Sequence, residues 1–113
     1  MRYIFENVNS NYDEQKEINI LKYSKWMNSI LRRSEEIGKV ELPICSIILD
    51  ERGRCIGRGV NRRNINNDPL GHAEIMALRQ ASLIKNDWRF NECIIITNLE
   101  PCTMCASALI QAR

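Results

Sequence analysis

The chain's only histidine, His72, is followed two positions later by Glu74. Further along, Pro101 stands immediately before Cys102, and Cys105 follows three positions on. Imidazole nitrogen and thiolate sulfur are typical zinc ligands. Two cysteines three apart at a helix start present both sulfurs on one face. The partial positive charge of a helix N-terminus is expected to favour their thiolate forms. His72 at the start of a second helix would complete a three-ligand site. Such a site leaves one tetrahedral position for water, which is the catalytic arrangement and not the structural one. Two thiolates cancel the charge of Zn2+, so the bound water needs a base to ionise it. Glu74 is the residue in place for that role. Beside a helix, a two-residue spacing would aim His72 and Glu74 apart. Off the end of the first turn, both can converge on one point. The chemistry open to these four residues is metal-assisted hydrolysis, with Glu74 carrying protons.

Each piece alone has a plainer reading. A C-x-x-C pair also occurs in redox sites and in half of a zinc ribbon, and a lone histidine is more often structural than a ligand. Their conjunction carries the argument. There is no second C-x-x-C, which excludes a four-cysteine ribbon, and no β-α-β pattern of a thiol oxidoreductase surrounds the pair. Cys45, Cys55 and Cys93 fall in strand patterns and read as core residues, since free cysteine packs like a small apolar side chain.

The elements that must position these residues can be read from periodicity. Ile20, Tyr23, Met27, Ile30 and Leu31, with Trp26 beside them, recur at helical spacing over residues 18–37, and Gly38 is a natural stop. Ile44 to Leu49 is a short buried-strand pattern behind Pro43. Residues 50–53 (Asp-Glu-Arg-Gly) read as a hairpin turn and 54–60 as the returning strand. Gly57 and Gly59 in that strand would let a helix or a substrate approach the backbone. Residues 61–71 form a polar loop, and His72 opens a helix to about Leu83, with Ile75, Met76, Leu78 and Leu83 as its apolar positions. Residues 93–97 are apolar throughout and predict a central strand. Pro101 opens a last helix, from Cys102 to Gln111 or beyond. Helix, hairpin, helix, strand, helix argues for a sheet covered by helices on both faces, an α/β fold.

Length and composition allow one small domain. The chain has 113 residues, 44% hydrophobic and 27% charged, and a net charge of +2. That balance alone does not argue for nucleic acid. The N-terminus carries no signal peptide pattern, and an odd cysteine count fits free thiols in a cytoplasmic setting. No apolar run approaches the ~20 residues of a membrane span. Residues 1–17 read as a polar, mobile extension and 18–113 as the catalytic core. Arg52, Arg54, Arg58, Arg62 and Arg63 cluster near the hairpin. They could hold RNA phosphates, Arg58, Arg62 and Arg63 above all, or simply form a solvated face.

The order H-x-E followed by P-C-x-x-C matches the established signature of zinc-dependent nucleobase deaminases. The match is densest over residues 67–80 (NDPLGHAEIMALRQ) and 99–106 (LEPCTMCA) and extends over roughly Trp26 to Arg113. On these segments the chain resembles the cytidine deaminase-like superfamily, and within it the bacterial tRNA-specific adenosine deaminases. The resemblance implies a three-layer α-β-α sandwich on a mixed sheet and one Zn2+ per chain on His72, Cys102 and Cys105. Glu74 would be the proton shuttle. Asn61 would hydrogen-bond the base, with Ala73, Pro101 and the Cys102 backbone beside the substrate. It further implies the tRNA anticodon arm as substrate, conversion of the wobble adenosine to inosine, and a homodimer.

The sequence departs from the family pattern in three places. Leu70-Gly71 replace Thr-Ala before His72, Asn98 replaces Thr before the Leu-Glu-Pro-Cys run, and Cys45-Ser46 replace Gly-Ala. Family members also continue past the equivalent of Arg113, so the core is expected to be C-terminally incomplete, with the strand at 93–97 left as an exposed apolar edge. Two rivals stand beside the leading reading. One is a deaminase of a free base or nucleotide such as guanine or deoxycytidylate. The other is an inactive, zinc-bound fragment or subunit.

Overall fold

The computed structural model describes residues 2–4 and 14–113. In chain order the elements are β1 (Arg2–Ile4), α1 (Glu14–Ile37), β2 (Cys45–Leu49), β3 (Cys55–Val60), α2 (Ala73–Lys85), β4 (Ile94–Thr97) and α3 (Thr103–Ala112). The strands form one mixed sheet in the order β1-β4-β2-β3. β2 pairs antiparallel with β3 and with β4, and β1 pairs parallel with β4.

Strand periodicity divides the core between two faces. Cys45, Ile47 and Leu49 of β2 and Ile96 of β4 point to the face covered by α1. From α1 they meet Tyr23, Ile30 and Ile37, with Trp26 and Met27 at the margin. Those positions recur at helical spacing, so one stripe of α1 is apolar. Ile48 and Ile95 point to the opposite face, where Ala77 and Ala81 of α2, Leu109 of α3, Phe90 and Cys93 close the second core. The result is the expected three-layer arrangement, with α1 on one side and α2 and α3 on the other. Burial pushes the Cys45 thiol up to about 11 and raises that of Cys93, which keeps both protonated and apolar.

Two expectations need correction, and a third falls partly outside the described residues. The polar extension at 1–17 lies partly outside the described residues (1 and 5–13), but Arg2–Ile4 is a strand of the sheet and 14–17 begin α1. For the same reason β4 is no exposed edge, because Arg2, Tyr3 and Ile4 pair with Ile94, Ile95 and Ile96. Pairing that joins distant parts of a chain leaves no local signal. Finally, the buried stripe of α2 is Ala73, Glu74, Ala77 and Ala81, whereas Leu83 is 82% exposed.

The alanine stripe and the two strand glycines explain each other. A Cβ on Gly57 would lie 2.4 Å from the Ala77 carbonyl oxygen, and one on Gly59 only 1.9 Å from that of Ala73. The α2 backbone therefore rests directly on β3, which only residues without side-chain bulk allow. The partner admitted by these glycines is the helix.

Two of the three departures from the family pattern, Cys45-Ser46 and Asn98, meet in space. Asn98 Oδ1 accepts from the Cys45 N–H at 2.9 Å, and its Nδ2 donates to the Pro43 carbonyl at 2.8 Å. Ser46 Oγ donates to Thr97 Oγ1 at 3.0 Å. Together they tie the start of β2 to the end of β4, just before the turn that delivers Cys102. Among the described residues no helix is long and apolar enough to cross a membrane.

Candidate active site

Two helices begin at the site with residues that are poor caps. His72 is the N-cap of α2 and Cys102 the N-cap of α3, both with extended backbone, and neither side chain caps its helix. Ser, Thr, Asp or Asn at such positions would satisfy an orphan N–H. Here local stability is given up and both side chains point elsewhere, a local inconsistency typical of functional sites.

They point at each other. His72 Nδ1 lies 3.5 Å from Cys102 Sγ and 3.5 Å from Cys105 Sγ. One ring nitrogen offers a single N–H or a single lone pair, so two equidistant sulfurs are not explained by hydrogen bonding. All three ligand atoms lie within 4.8 Å of one another. Zinc bonds of about 2.3 Å to sulfur and 2.05 Å to nitrogen, at tetrahedral angles, give an S···N edge of about 3.6 Å. The donor set and its spacing therefore fit Zn2+, with Nδ1 as the imidazole ligand.

Cys105 and Glu74 complete the wall. Both are buried, Glu74 at 4% exposure. Burial first, then the Glu74 carboxylate and the Cys102 thiol, push the Cys105 thiol well up. Cys105 sits inside the first turn of α3, where the helix N-terminus favours the thiolate but its surroundings oppose it. Desolvation and the neighbouring negative charge of Glu74 both raise the thiol pKa there. A divalent cation must displace that proton, which links binding to pH. The same carboxylate-thiol interaction sets Glu74 next to Cys105, in line with convergence off the end of the first turn.

Asn61 is 1% exposed, just past the end of β3. Its Oδ1 accepts from the Arg63 N–H at 3.1 Å and its own N–H donates to the Ile44 carbonyl at 3.0 Å. Next to it, Arg62 N–H donates to the Gly71 carbonyl at 2.8 Å, joining the end of β3 to the residue before His72. A Cβ on Gly71 would crowd the Asp68 carbonyl at 3.0 Å and Arg62 at 3.1 Å, so the glycine departure at 71 allows this tight turn. Ala73 is fully buried and Pro101 half-buried, each adjacent in sequence to a ligand. Arg58 and Arg63 are exposed and Arg62 half-buried, outside the metal cluster.

One residue of the site's surroundings carries no sequence signal. Glu41 is 7% exposed, and its carboxylate accepts from the N–H groups of Asn64 (2.8 Å), Ile65 (3.1 Å) and Leu42 (3.2 Å) and from Asn64 Nδ2 (3.0 Å). Burial alone would raise its pKa, but these donors and the nearby Arg63 charge hold it below the usual carboxylate range. Glu41 thus pins the loop from Asn61 to His72. Nothing in the spacing links position 41 to positions 64 and 65.

Residues 21–113 match the family model for the cytidine and deoxycytidylate deaminase zinc-binding region. The chain belongs to this deaminase family. The matched region contains the His72, Cys102 and Cys105 cluster, whose donor set is consistent with one Zn2+. The chain is 32% identical over 106 residues to the tRNA-specific adenosine deaminase of Haemophilus influenzae, covering 94% of this chain and 56% of that protein. It thus spans little more than half the length of that relative. A solved structure from a study of A-to-I editing by tRNA:A34 deaminases at the wobble position superposes with a TM-score of 0.76. It is 34% identical and covers 81% of this chain and 71% of that one. The guanine deaminase of Bacillus subtilis superposes with a TM-score of 0.68 at 32% identity, covering 76% of this chain and 58% of that one.

Proposed function

We propose that this chain carries the catalytic core of an enzyme that hydrolyses the amine of the wobble adenosine in tRNA, releasing ammonia and leaving inosine. The observation behind this reading is the convergence of His72, Cys102 and Cys105 at two helix N-termini with Glu74 buried against them. Zinc held there supplies Lewis acidity to an attacking water. Glu74 takes one proton from that water and gives it to the ring nitrogen, then takes the second from the added oxygen and gives it to the departing amine, which leaves as ammonia. The Asn61 amide holds the base edge, with its Nδ2 as donor while Oδ1 is engaged by Arg63. Ala73 and Pro101, beside the ligands, shape the floor of the base pocket. Arg58, Arg62 and Arg63 contact the RNA backbone.

The relatives' names support tRNA as the substrate class, and residues 18–113 are assigned as the catalytic unit. A cytoplasmic location and a homodimer that buries the exposed Leu99 and Ile110 belong to the same proposal. The guanine deaminase likeness favours a second reading, a free purine base as substrate.

The test is inosine formation. Zinc-loaded protein is incubated with an anticodon stem-loop bearing a wobble adenosine, beside free adenosine, guanine and deoxycytidylate, with Glu74→Gln as control. Inosine in the RNA alone, lost in the control, is the expected result. Turnover of guanine alone would replace the substrate and keep the chemistry. Zinc binding without turnover of any of the four would overturn the reading for this chain.

A further inference from the structure

A second concave feature lies away from the zinc cluster. A groove of about 940 Å³ crosses the outer edge of β3, from α1 on one face of the sheet to α2 on the other. Arg32 and Arg33 of α1, Arg58 of β3, Arg62 of the following loop and Arg79 of α2 line it, with Glu36 as the one acidic residue. Five of the chain's 16 lysines and arginines therefore converge on one groove, although the net charge of the whole chain is only +2. Arg33 is engaged by Glu36 at 2.7 Å, a pair exposed on both sides, and Arg79, itself exposed, reaches the half-buried Asp68 only at 3.6 Å. Exposed pairs of this kind contribute little and exchange readily for a stronger anion.

The edge itself is closed to another strand. Gln80 Oε1 accepts the outward Arg58 N–H at 2.6 Å, occupying the hydrogen-bonding position a docking strand would need. What the groove offers instead is guanidinium groups on three separate elements, and the half-buried indole of Trp26 in its wall. Arginine forks suit phosphate oxygens, and an aromatic face beside a cationic track suits an unpaired base. The groove leads towards the site, since Arg62 is next to Asn61 and bonded to Gly71, the neighbour of His72. Arg58 and Arg62 are separated by at most about 14 Å of extended chain.

We infer that this arginine groove binds the sugar-phosphate backbone of a single-stranded RNA segment flanking the nucleotide that enters the zinc site. The inference rests on the RNA reading proposed above. It adds Arg32, Arg33 and Arg79, which lie far from the signature segments, as an anchoring surface.

The test separates the two proposals. Binding of a fluorescein-labelled anticodon stem-loop is measured by anisotropy across a salt series, for the unaltered chain, for Arg32→Gln/Arg58→Gln, and for a control, Lys25→Gln/Lys39→Gln, outside the groove. Unchanged circular dichroism and Tm establish that the variants fold. The groove variant is expected to bind several-fold to tenfold more weakly. The slope of log Kobs on log salt should fall by about 0.7 per lost phosphate contact, and the control should match the unaltered chain. Equal affinity and slope in the groove variant and the unaltered chain would overturn the inference, as would absence of RNA binding. So would a dimer that dissociates only in the groove variant while RNA affinity holds, because a second copy would then fill the groove. Groove-dependent binding without inosine formation would keep the groove and remove the substrate reading. Inosine formation indifferent to the groove variant, at unchanged affinity, would do the reverse.

Discussion

Gly59→Ala tests how the sheet positions the zinc site. The added Cβ would lie 1.9 Å from the Ala73 carbonyl oxygen, 2.6 Å from the Ala77 nitrogen and 2.9 Å from the Ala73 carbonyl carbon. All three are backbone atoms of α2, so no side chain can swing aside. Restoring ordinary contact moves the first turns of α2 outward by roughly 1.5 Å. Overpacking of this sort costs about 1–3 kcal/mol, which lowers Tm by roughly 5–20 °C at this size. The displaced turn begins one residue after His72 and contains Glu74, so the damage extends to the site. Zinc affinity should fall tenfold or more, since supporting contacts around a metal carry about 10–100-fold. Gly57→Ala is the internal comparison. Its Cβ meets the Ala77 carbonyl at 2.4 Å and Ala81 Cβ at 2.8 Å, a turn or more further from His72. It should cost similar stability and less zinc affinity. Thermal unfolding with and without zinc, and competition against a chromogenic chelator, measure both quantities. A Gly59→Ala protein with unchanged Tm and zinc affinity would refute the argument that α2 rests on bare strand backbone.

Other outcomes follow from the same geometry. Because the Cys105 thiol is held protonated, zinc binding should release a proton and tighten as pH rises. Calorimetry in buffers of different ionisation enthalpy reads that proton directly, and pH-independent affinity would count against it. Glu41→Gln replaces one accepting oxygen with a donor and should lower Tm most near neutral pH. The Glu41 carboxyl is held below its ordinary value, so its stabilisation is complete above the ordinary range and lost as pH falls through the folded value. The gap in Tm between variant and unaltered chain should therefore narrow in acid; a gap constant with pH would exclude this role for Glu41. Glu74→Gln should retain one zinc per chain and lose about 10²–10⁴-fold in deamination, checked by metal analysis beside the inosine assay. Chelation of zinc should lower Tm, because the metal joins two helix ends that otherwise bring a buried thiol beside a buried carboxylate.

Much of the site was legible in the sequence because its information is local. His72 with Glu74, and Cys102 with Cys105, are short-range pairs whose ligand chemistry and helix-start position can be read from spacing. The β2 to β3 hairpin and the alternation that splits Cys45, Ile47 and Leu49 from Ile48 are local in the same sense. The tertiary structure alone decided what depends on distant segments meeting. It placed β1 beside β4, and it brought the Asn98 amide to Cys45 and Pro43. It set Glu41 under residues 64 and 65 and gathered arginines from α1, β3 and α2 into one groove. It also reversed one local inference and set a second against its surroundings. Leu83 faces outward because the strand glycines draw the alanine side of α2 inward. At Cys105, burial and Glu74 raise the thiol pKa, opposing the helix end. Periodicity and dipole describe an element in isolation, whereas close packing and desolvation arise only when elements are in contact.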